Sequence, residues 1–93
     1  MKFLAVCGFG VGSSMVLKMS IEKVCQERGI DCEVENTDVS SAKGTDADAV
    51  FTSEELGQEL ENNVKCPVYP IKRYMDKAEV GQAIDKFFEN GGN

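Results

Sequence analysis

The sequence predicts an α/β fold in which a four-stranded parallel sheet carries helices on both faces. Apolar runs of strand length alternate with segments of helical period, and no long loop separates them. The resulting order, β-α-β-(short segment)-β-α-β-α, is typical of a parallel sheet. Right-handed crossovers then favour the strand order 2-1-3-4. A chain of 93 residues supports one compact core, so we expect a single domain over residues 1–93.

The first half of the chain supplies two strands and one amphipathic helix. Lys2–Val6 is an apolar first strand, and residues 14–28 have the period of a helix that Gly29 ends. The apolar positions of that helix are Leu17, Ile21, Val24 and Cys25. Residues 31–37 alternate between apolar and charged side chains, which predicts an edge strand with one solvated face.

The middle of the chain predicts a third strand followed by a weak helix. Residues 38–46 are small and polar and indicate either a loop or a short helical turn. Residues 47–52 form a compact apolar run that predicts a strand. Ser53 then caps a short helix, which we expect Gly57 to interrupt and Asn62 to end.

The last third predicts an edge strand and the most regular helix of the chain. Residues 66–71 contain two prolines, which suit an edge better than a central strand. Asp76 caps a helix whose apolar stripe is Val80, Ala83, Ile84, Phe87 and Phe88. Together these elements predict a flavodoxin-like, phosphatase-like three-layer sandwich. In such sheets the crevice opens at the carboxyl ends of strands 1 and 3, where Cys7 lies.

Composition and charge narrow the classes of function. The net charge is −6, and residues 31–62 carry ten of the sixteen acidic groups against one basic group. This balance argues against a nucleic-acid partner, for which a basic face is expected. No apolar stretch reaches the roughly 20 residues of a membrane span, and no signal peptide is evident, so we expect a cytoplasmic protein.

The four cysteines do not form a metal-binding pattern. They are Cys7, Cys25, Cys32 and Cys66; no two form a Cys-x-x-Cys pair, and the chain has no histidine. We therefore expect no metal site. Because the cytoplasm is reducing, we expect no disulfides in a cytoplasmic protein. We expect buried, inert thiols at the last three positions.

The most informative segment directly follows the first strand. It begins with Cys7 and continues as Gly8, Phe9, Gly10, Val11, Gly12, Ser13 and Ser14. Its alternating glycines let successive backbone N–H groups converge on an anion, and the following helix adds its positive end. Ser13 or Ser14 can serve as the N-cap. The same field favours a thiolate, so we expect the pKa of Cys7 to lie below its ordinary value.

Other phosphate-binding patterns fit this segment less well. A Walker loop needs a Gly-Lys pair, and a dinucleotide loop needs glycine where Ser13 stands. A cysteine phosphatase needs an arginine at that same position to hold the phosphate. A phosphatase-like or reductase-like enzyme is therefore the alternative to phosphoryl transfer. A non-catalytic anion-binding or redox module, or a purely structural turn, is also open.

The Cys7–Ser14 motif, with Met15 and the Lys18-Met19 helix behind it, resembles the IIB components of the bacterial sugar phosphotransferase system (PTS), in particular the ascorbate and lactose types. The resemblance implies a protein-N(π)-phosphohistidine–sugar phosphotransferase subunit. Cys7 would accept a phosphoryl group from a phosphohistidine IIA protein and pass it to a sugar bound by a membrane IIC transporter. Residues 8–14 would cradle the phosphoryl group, without metal or cofactor. The resemblance also implies peripheral membrane association through IIC.

Apolar residues near the loop are candidates for a docking rim. Phe9, Val11 and Met15 either contact the partner proteins or, in the case of Phe9, pack beneath the loop. Lys72 and Arg73 follow the fourth strand and either offset the charge of a phosphocysteine or remain solvated.

Two hydroxyl residues after the third strand have a second interpretation. Thr52 and Ser53 face the same crevice as Cys7, and capping of the short helix is the preferred role for both.

Overall fold

The computed structural model describes residues 1–7 and 11–89, with the helical backbone alone described for residues 11–14. Its elements are β1 (Lys2–Val6), α1 (Val11–Glu27), β2 (Glu33–Thr37), α2 (Val39–Lys43), β3 (Ala49–Thr52), α3 (Glu54–Glu61), β4 (Val68–Pro70) and α4 (Lys77–Glu89). All strand pairs are parallel, and the order is β2-β1-β3-β4. The predicted fold class and strand order are confirmed. No helix in the described ranges is both long and apolar enough to cross a bilayer.

The sheet separates two apolar layers. Alternate residues of β1 and β3 point to opposite faces, so Phe3 and Phe51 pack against α1 and α4, while Leu4 and Val50 pack against α2 and α3. The ring of Phe3 makes edge contacts with Phe51 and Phe87, each with ring centroids 5.2 Å apart. The first layer therefore joins sheet and helices through one aromatic cluster.

The strand predictions hold in place and orientation, with shorter ends. β2 lies at one edge, with Val34 buried and Glu33 and Glu35 exposed, as the alternation predicts. β4 lies at the other edge and spans three residues rather than 66–71. β3 begins at Ala49 rather than 47. Asp48, just before it, is still joined to Lys2, because its N–H donates to the Lys2 carbonyl at 2.8 Å and its carboxylate accepts from the Lys2 N–H at 2.7 Å.

Helix α1 begins three residues before the predicted start. Its first turn includes Ser13 and Ser14, so the expectation that either residue is the N-cap is wrong. Gly12 lies in the first turn of the helix, and the burial of Leu17, Ile21 and the apolar residues of the later turns stabilises the helix as a whole.

The end of α1 is set by a glycine in the left-handed region. Gly29 has φ of 69°, and its N–H donates to the carbonyl of Gln26 at 3.3 Å. The next N–H, from Ile30, donates to the carbonyl of Cys25 at 2.8 Å. This pair of bonds is a Schellman motif, which only a residue without a Cβ adopts without strain. The predicted stop at Gly29 is confirmed.

In the later helices the structure decides one prediction that the sequence left open and corrects two others. Residues 38–46 contain a short helix, α2, capped by the Asp38 carboxylate. Gly57 does not interrupt α3, which is continuous from Glu54 to Glu61. It is buried against β3 and β4, where an added Cβ would make ordinary contacts of 3.7 Å with side-chain atoms of Thr52 and Val68. In α4 the predicted stripe is buried except for Phe88, which lies at the margin of the buried face and packs its ring on Phe87.

We predict that Gly29→Ala lowers the free energy of unfolding by about 1–2 kcal/mol, because alanine is strained at positive φ. Gly44→Ala is the matched control. Gly44 also ends a helix, but its φ is −107° and an added Cβ would meet only the Ser41 carbonyl oxygen at 4.0 Å. Urea unfolding should show the loss in the first variant and little change in the second. Equal losses would contradict the assigned role of Gly29.

Candidate active site

Cys7 lies at the carboxyl end of β1 and is held from both neighbouring strands. Its backbone N–H donates to the carbonyl of Thr37 at the end of β2, at 3.3 Å. On the other side the hydroxyl of Thr52, at the end of β3, donates to the carbonyl of Val6 at 2.8 Å. The Thr52 side chain is fully buried. The backbone on either side of the Cys7 nitrogen is therefore fixed before the chain leaves the sheet.

The topology places this cysteine at the switch point of the sheet. From β1 the chain crosses to β2 on one side and then returns to β3 on the other. Ligand sites of open α/β sheets lie at this point, at the carboxyl ends of the strands. Helix α1 begins at Val11, four positions after Cys7, so its positive N-terminal end faces the same edge.

The structure leaves most of the predicted phosphate cradle untested. Gly8, Phe9 and Gly10 lie outside the described residues. For Val11, Gly12, Ser13 and Ser14 the structure describes the first turn of α1 and no side chain.

A tyrosine is the side-chain partner of Cys7. The hydroxyl of Tyr74 hydrogen-bonds both to the Cys7 sulfur and to the hydroxyl of Ser53. Ser53 also accepts from the N–H of Leu56 at 3.4 Å. The arrangement that satisfies every group has Ser53 donating to the tyrosine oxygen and the tyrosine donating to sulfur. This chain of hydroxyls joins the ends of β1 and β3 to the segment after β4.

The segment carrying Tyr74 is held by carboxylates of α4. The backbone N–H groups of Lys72 and Arg73 donate to the two oxygens of Glu79, at 2.6 and 3.0 Å. Asp76 accepts from the N–H groups of residues 78 and 79, which confirms it as the cap of α4. Tyr74 packs its ring partly against the core layer of α1 and α4. Its hydroxyl is thus presented to Cys7 from an anchored turn.

The thiol of Cys7 is more protected than the sequence indicates. The residue is 7% exposed, and burial raises its pKa, although the hydrogen bond from Tyr74 acts in the opposite direction. The expectation of a pKa below the ordinary value is therefore wrong. The desolvation of the thiolate outweighs the stabilisation that its hydroxyl partner provides. The pKa of Tyr74 is raised to about 12, first by burial and then by the adjacent sulfur.

The other residues predicted near the crevice have specific partners. Thr52 does not cap α3, because its hydroxyl is bonded to β1, whereas Ser53 does cap it. Lys72 forms an ion pair with Glu54 at 3.6 Å, on the exposed surface. Arg73 contributes its backbone N–H to the Glu79 carboxylate.

Tyr74 is absent from the residues predicted for the site. In the segment after β4 the sequence predicts a role only for Lys72 and Arg73. The available signal was positional: Cys7, Ser53 and Tyr74 each follow a strand of a parallel sheet, and such residues meet at one edge. Without the structure, however, a tyrosine on a turn has no evident partner.

The remaining cysteines differ in burial. Cys25 is buried, as predicted, whereas Cys32 and Cys66 are only partly buried, and all four cysteines are unbridged. Within residues 1–7 and 11–89, no cluster of three or more metal-ligating side chains is present.

Comparison with known proteins identifies the family. A family model described as "PTS system, Lactose/Cellobiose specific IIB subunit" matches residues 2–86. The chain belongs to this family. The resemblance to IIB components of the ascorbate and lactose types is confirmed, as is a general role in sugar phosphotransfer.

Curated relatives and a solved structure agree with this assignment. This chain is 34% identical over 85 residues to the ascorbate-specific PTS system EIIB component of Mycoplasma pneumoniae. The match covers 89% of this chain and 90% of the relative. The corresponding protein of Salmonella typhimurium is 29% identical over 85 residues, covering 89% and 84%. The lactose-specific IIB domain of Streptococcus pneumoniae shares the fold, with a TM-score of 0.68 at 13% identity over 98% and 97% of the two chains.

We predict that Tyr74→Phe raises the pKa of Cys7 further, because the variant loses the hydroxyl that stabilises the thiolate. Alkylation of Cys7 by iodoacetamide should therefore become several-fold slower at any pH below the midpoint, with the midpoint moved to higher pH. Peptide mass spectrometry across a pH series measures the rate.

Tyr69→Phe is the matched control for this variant. The Tyr69 hydroxyl is buried without a hydrogen-bond partner among the described residues, and its ring stacks on Phe51 in the core. Its removal should leave the alkylation profile of Cys7 unchanged. A Tyr74→Phe profile that matches the wild type would contradict the assigned contact.

Proposed function

We propose that this IIB component carries a phosphoryl group on the Cys7 sulfur, between a phosphohistidine IIA protein and a sugar bound by a membrane IIC transporter. The observation that carries the proposal is the position of Cys7 at the switch point, held by Thr37 and Thr52 and hydrogen-bonded by Tyr74. Residues 1–93 would act as one cytoplasmic IIB domain that reaches the membrane only through IIC.

The first step moves the phosphoryl group from nitrogen to sulfur. The Cys7 sulfur attacks phosphorus, the N–P bond of the phosphohistidine breaks, and an S–P bond forms. The departing imidazole nitrogen needs a proton, and a thiol whose pKa is raised by burial still holds one at neutral pH. The proton therefore passes from Cys7 to the imidazole as the phosphoryl group moves the other way. No metal or cofactor enters this balance.

The second step moves the group from sulfur to oxygen. A sugar hydroxyl attacks phosphorus, the S–P bond breaks, and the thiolate of Cys7 leaves and takes up a proton that the hydroxyl releases. The Tyr74 hydroxyl stabilises that thiolate as it forms. Ascorbate is the first acceptor to test, because relatives from two organisms are ascorbate-specific components.

The phosphoryl oxygens need donors that the sequence supplies in the loop. The backbone N–H groups of residues 8–14 are the proposed cradle, and α1 contributes the positive end of its dipole. Lack of an arginine at position 13 favours transfer over hydrolysis, because a phosphatase uses that side chain to stabilise the transferred group.

We place the IIA docking rim on the exposed apolar surface beside Cys7. Met15 is 48% exposed, and next to it Val16, Met19 and Met75 are also exposed. Val16, Met19 and Met75 line an open groove of about 340 Å³ between α1 and the turn before α4. Met75 directly follows Tyr74, so the rim begins one residue from the hydrogen-bond partner of Cys7. Phe9 and Val11 belong to the same proposed rim from sequence alone.

Phosphorylation in a reconstituted system tests the proposed function. We expect the protein to gain the mass of one phosphoryl group on incubation with phosphoenolpyruvate, Enzyme I, HPr and a matched IIA protein. Cys7→Ser should lose the adduct, whereas Cys66→Ser should retain it. An adduct that persists in Cys7→Ser would contradict the proposal. Rapid turnover of a phosphotyrosine analogue would favour the phosphatase-like alternative instead.

We predict that Met19→Glu weakens IIA docking, because it places a charge in the apolar rim. The concentration of phosphorylated IIA protein needed for half-maximal phosphorylation should rise roughly fivefold or more, with the maximal rate retained. Gln26→Glu is the matched control, since it adds the same side chain to an exposed position nearer the other end of α1. Equal effects of the two variants, measured by initial rates, would contradict the position of the rim.

A further inference from the structure

Two thiols meet at the end of α1 that is remote from Cys7. Cys25 lies in the last turns of the helix, and Cys32 immediately precedes β2. Their side chains are hydrogen-bonded to each other, and both pack against the core layer formed by α1 and α4. Neither residue has a part in the phosphoryl transfer described above.

The reversal of the chain at Gly29 brings the two residues together. The N–H of Ile30 donates to the carbonyl of Cys25 itself, at 2.8 Å, so the chain returns across the last turn of α1. Two residues later Cys32 enters the sheet, where the N–H of Glu33 donates to the carbonyl of Met1 at 2.7 Å. Backbone hydrogen bonds on both sides of the reversal therefore hold the main chain of Cys25 and of Cys32 in place.

The two thiols differ in access. Cys25 is 2% exposed, whereas Cys32 is only partly buried and can be reached from solvent. Burial, and next the hydrogen bond to Cys32, raise the pKa of Cys25 to about 12; among the charged neighbours, Glu22 adds to this rise and Arg28 opposes it. A reagent in solution therefore reacts first with Cys32, which is the more accessible residue. Cys25 is the buried, protonated second thiol.

The geometry points to Cys25 and Cys32 as a dithiol that low-molecular-weight disulfides oxidise to an intramolecular disulfide. The Cys32 sulfur attacks the small disulfide, giving a mixed disulfide and releasing one small thiol. The Cys25 sulfur then attacks the Cys32 sulfur, and a second small thiol leaves with the Cys25 proton. The protein loses two electrons and two protons, and the small disulfide is reduced to two thiols. Excess thiol reverses the reaction.

This reaction is independent of the proposed chemistry at Cys7. Helix α1 runs from the carboxyl edge of the sheet to its amino edge, and the 14 residue steps from Val11 to Cys25 span about 21 Å. A disulfide joins Cα atoms less than about 7 Å apart, so Cys25 cannot bridge to Cys7 within one chain. Failure of phosphorylation would leave the dithiol unaffected, and failure of the dithiol would leave phosphorylation unaffected.

Oxidised glutathione and peptide mapping test the proposal on the full chain. Cleavage after lysine and arginine puts the four cysteines on four different peptides, with Cys25 in residues 24–28 and Cys32 in residues 29–43. After native oxidation, acid quenching and alkylation in denaturant, we expect these two peptides joined, with a loss of two hydrogen masses. Dithiothreitol should restore both as alkylated thiols.

Single variants distinguish this pair from incidental thiol chemistry. Cys25→Ala should stop the reaction halfway and accumulate the glutathione adduct on Cys32, whereas Cys32→Ser should leave Cys25 as a free thiol. Cys66→Ser is the matched control, because Cys66 is also partly buried but has its own backbone and Asp48, rather than a thiol, as neighbours. It should form the linked peptides like the wild type. Recovery of Cys25 and Cys32 as separate alkylated peptides, or linkage that appears only in denaturant, would overturn the proposal.

Discussion

The structure depends on the central position of β1. This strand is paired on both sides along its length, and its side chains alternate between the two apolar layers, so neither its register nor its facing can change without exposing the core. That constraint fixes the position of Cys7 at the carboxyl edge of the sheet. The hydroxyl of Thr52 extends the constraint beyond the ladder, because it satisfies the last carbonyl of β1 from the next strand. A reactive sulfur on a mobile loop would not be held in one position in this way.

Two opposing effects act on the Cys7 sulfur: burial favours the thiol, and a hydrogen bond favours the thiolate. Burial keeps the thiol of Cys7 protonated, which limits adventitious reactions, while the hydroxyl of Tyr74 supplies a donor for the thiolate whenever it forms. Tyr74 owes its place to a turn fixed by Glu79 and Asp76, and Ser53 completes the chain of hydroxyls while capping α3. The site is therefore supported by the ends of three adjacent strands, β1, β3 and β4, and by the residues that follow them.

Much of the fold follows from the sequence because periodicity and end signals agree. The alternation in β2, the Gly29 stop and the Asp76 cap each have a local cause, and each is found where the sequence predicts it. The failures have tertiary causes. Gly57 lies buried inside α3, where the helix packs on β3 and β4, and α1 begins at Val11, before both Ser13 and Ser14.

The site was predictable only in part. Cys7 could be identified because strand, thiol and glycines are consecutive in the chain. Its pKa could not be predicted, because it depends on the burial of Cys7 in the folded chain and on the opposing effect of Tyr74. Tyr74 is 67 positions away in the sequence and is brought near by the pairing of β1, β3 and β4. The contact of Cys25 with Cys32 could not be predicted for a similar reason, since it depends on the chain reversal at Gly29.

Amide NMR of the protein before and after phosphorylation shows whether the carboxyl edge of the sheet is the site of phosphoryl transfer. We expect the amide signals of Thr37, Ser53 and Tyr74 to shift on phosphorylation, because each residue is hydrogen-bonded to Cys7 directly or through Tyr74. Signals at the amino edge, such as those of Glu33 and Asp48, should remain in place. Shifts concentrated at the amino edge, or a phosphorylated protein whose carboxyl-edge signals do not move, would contradict it.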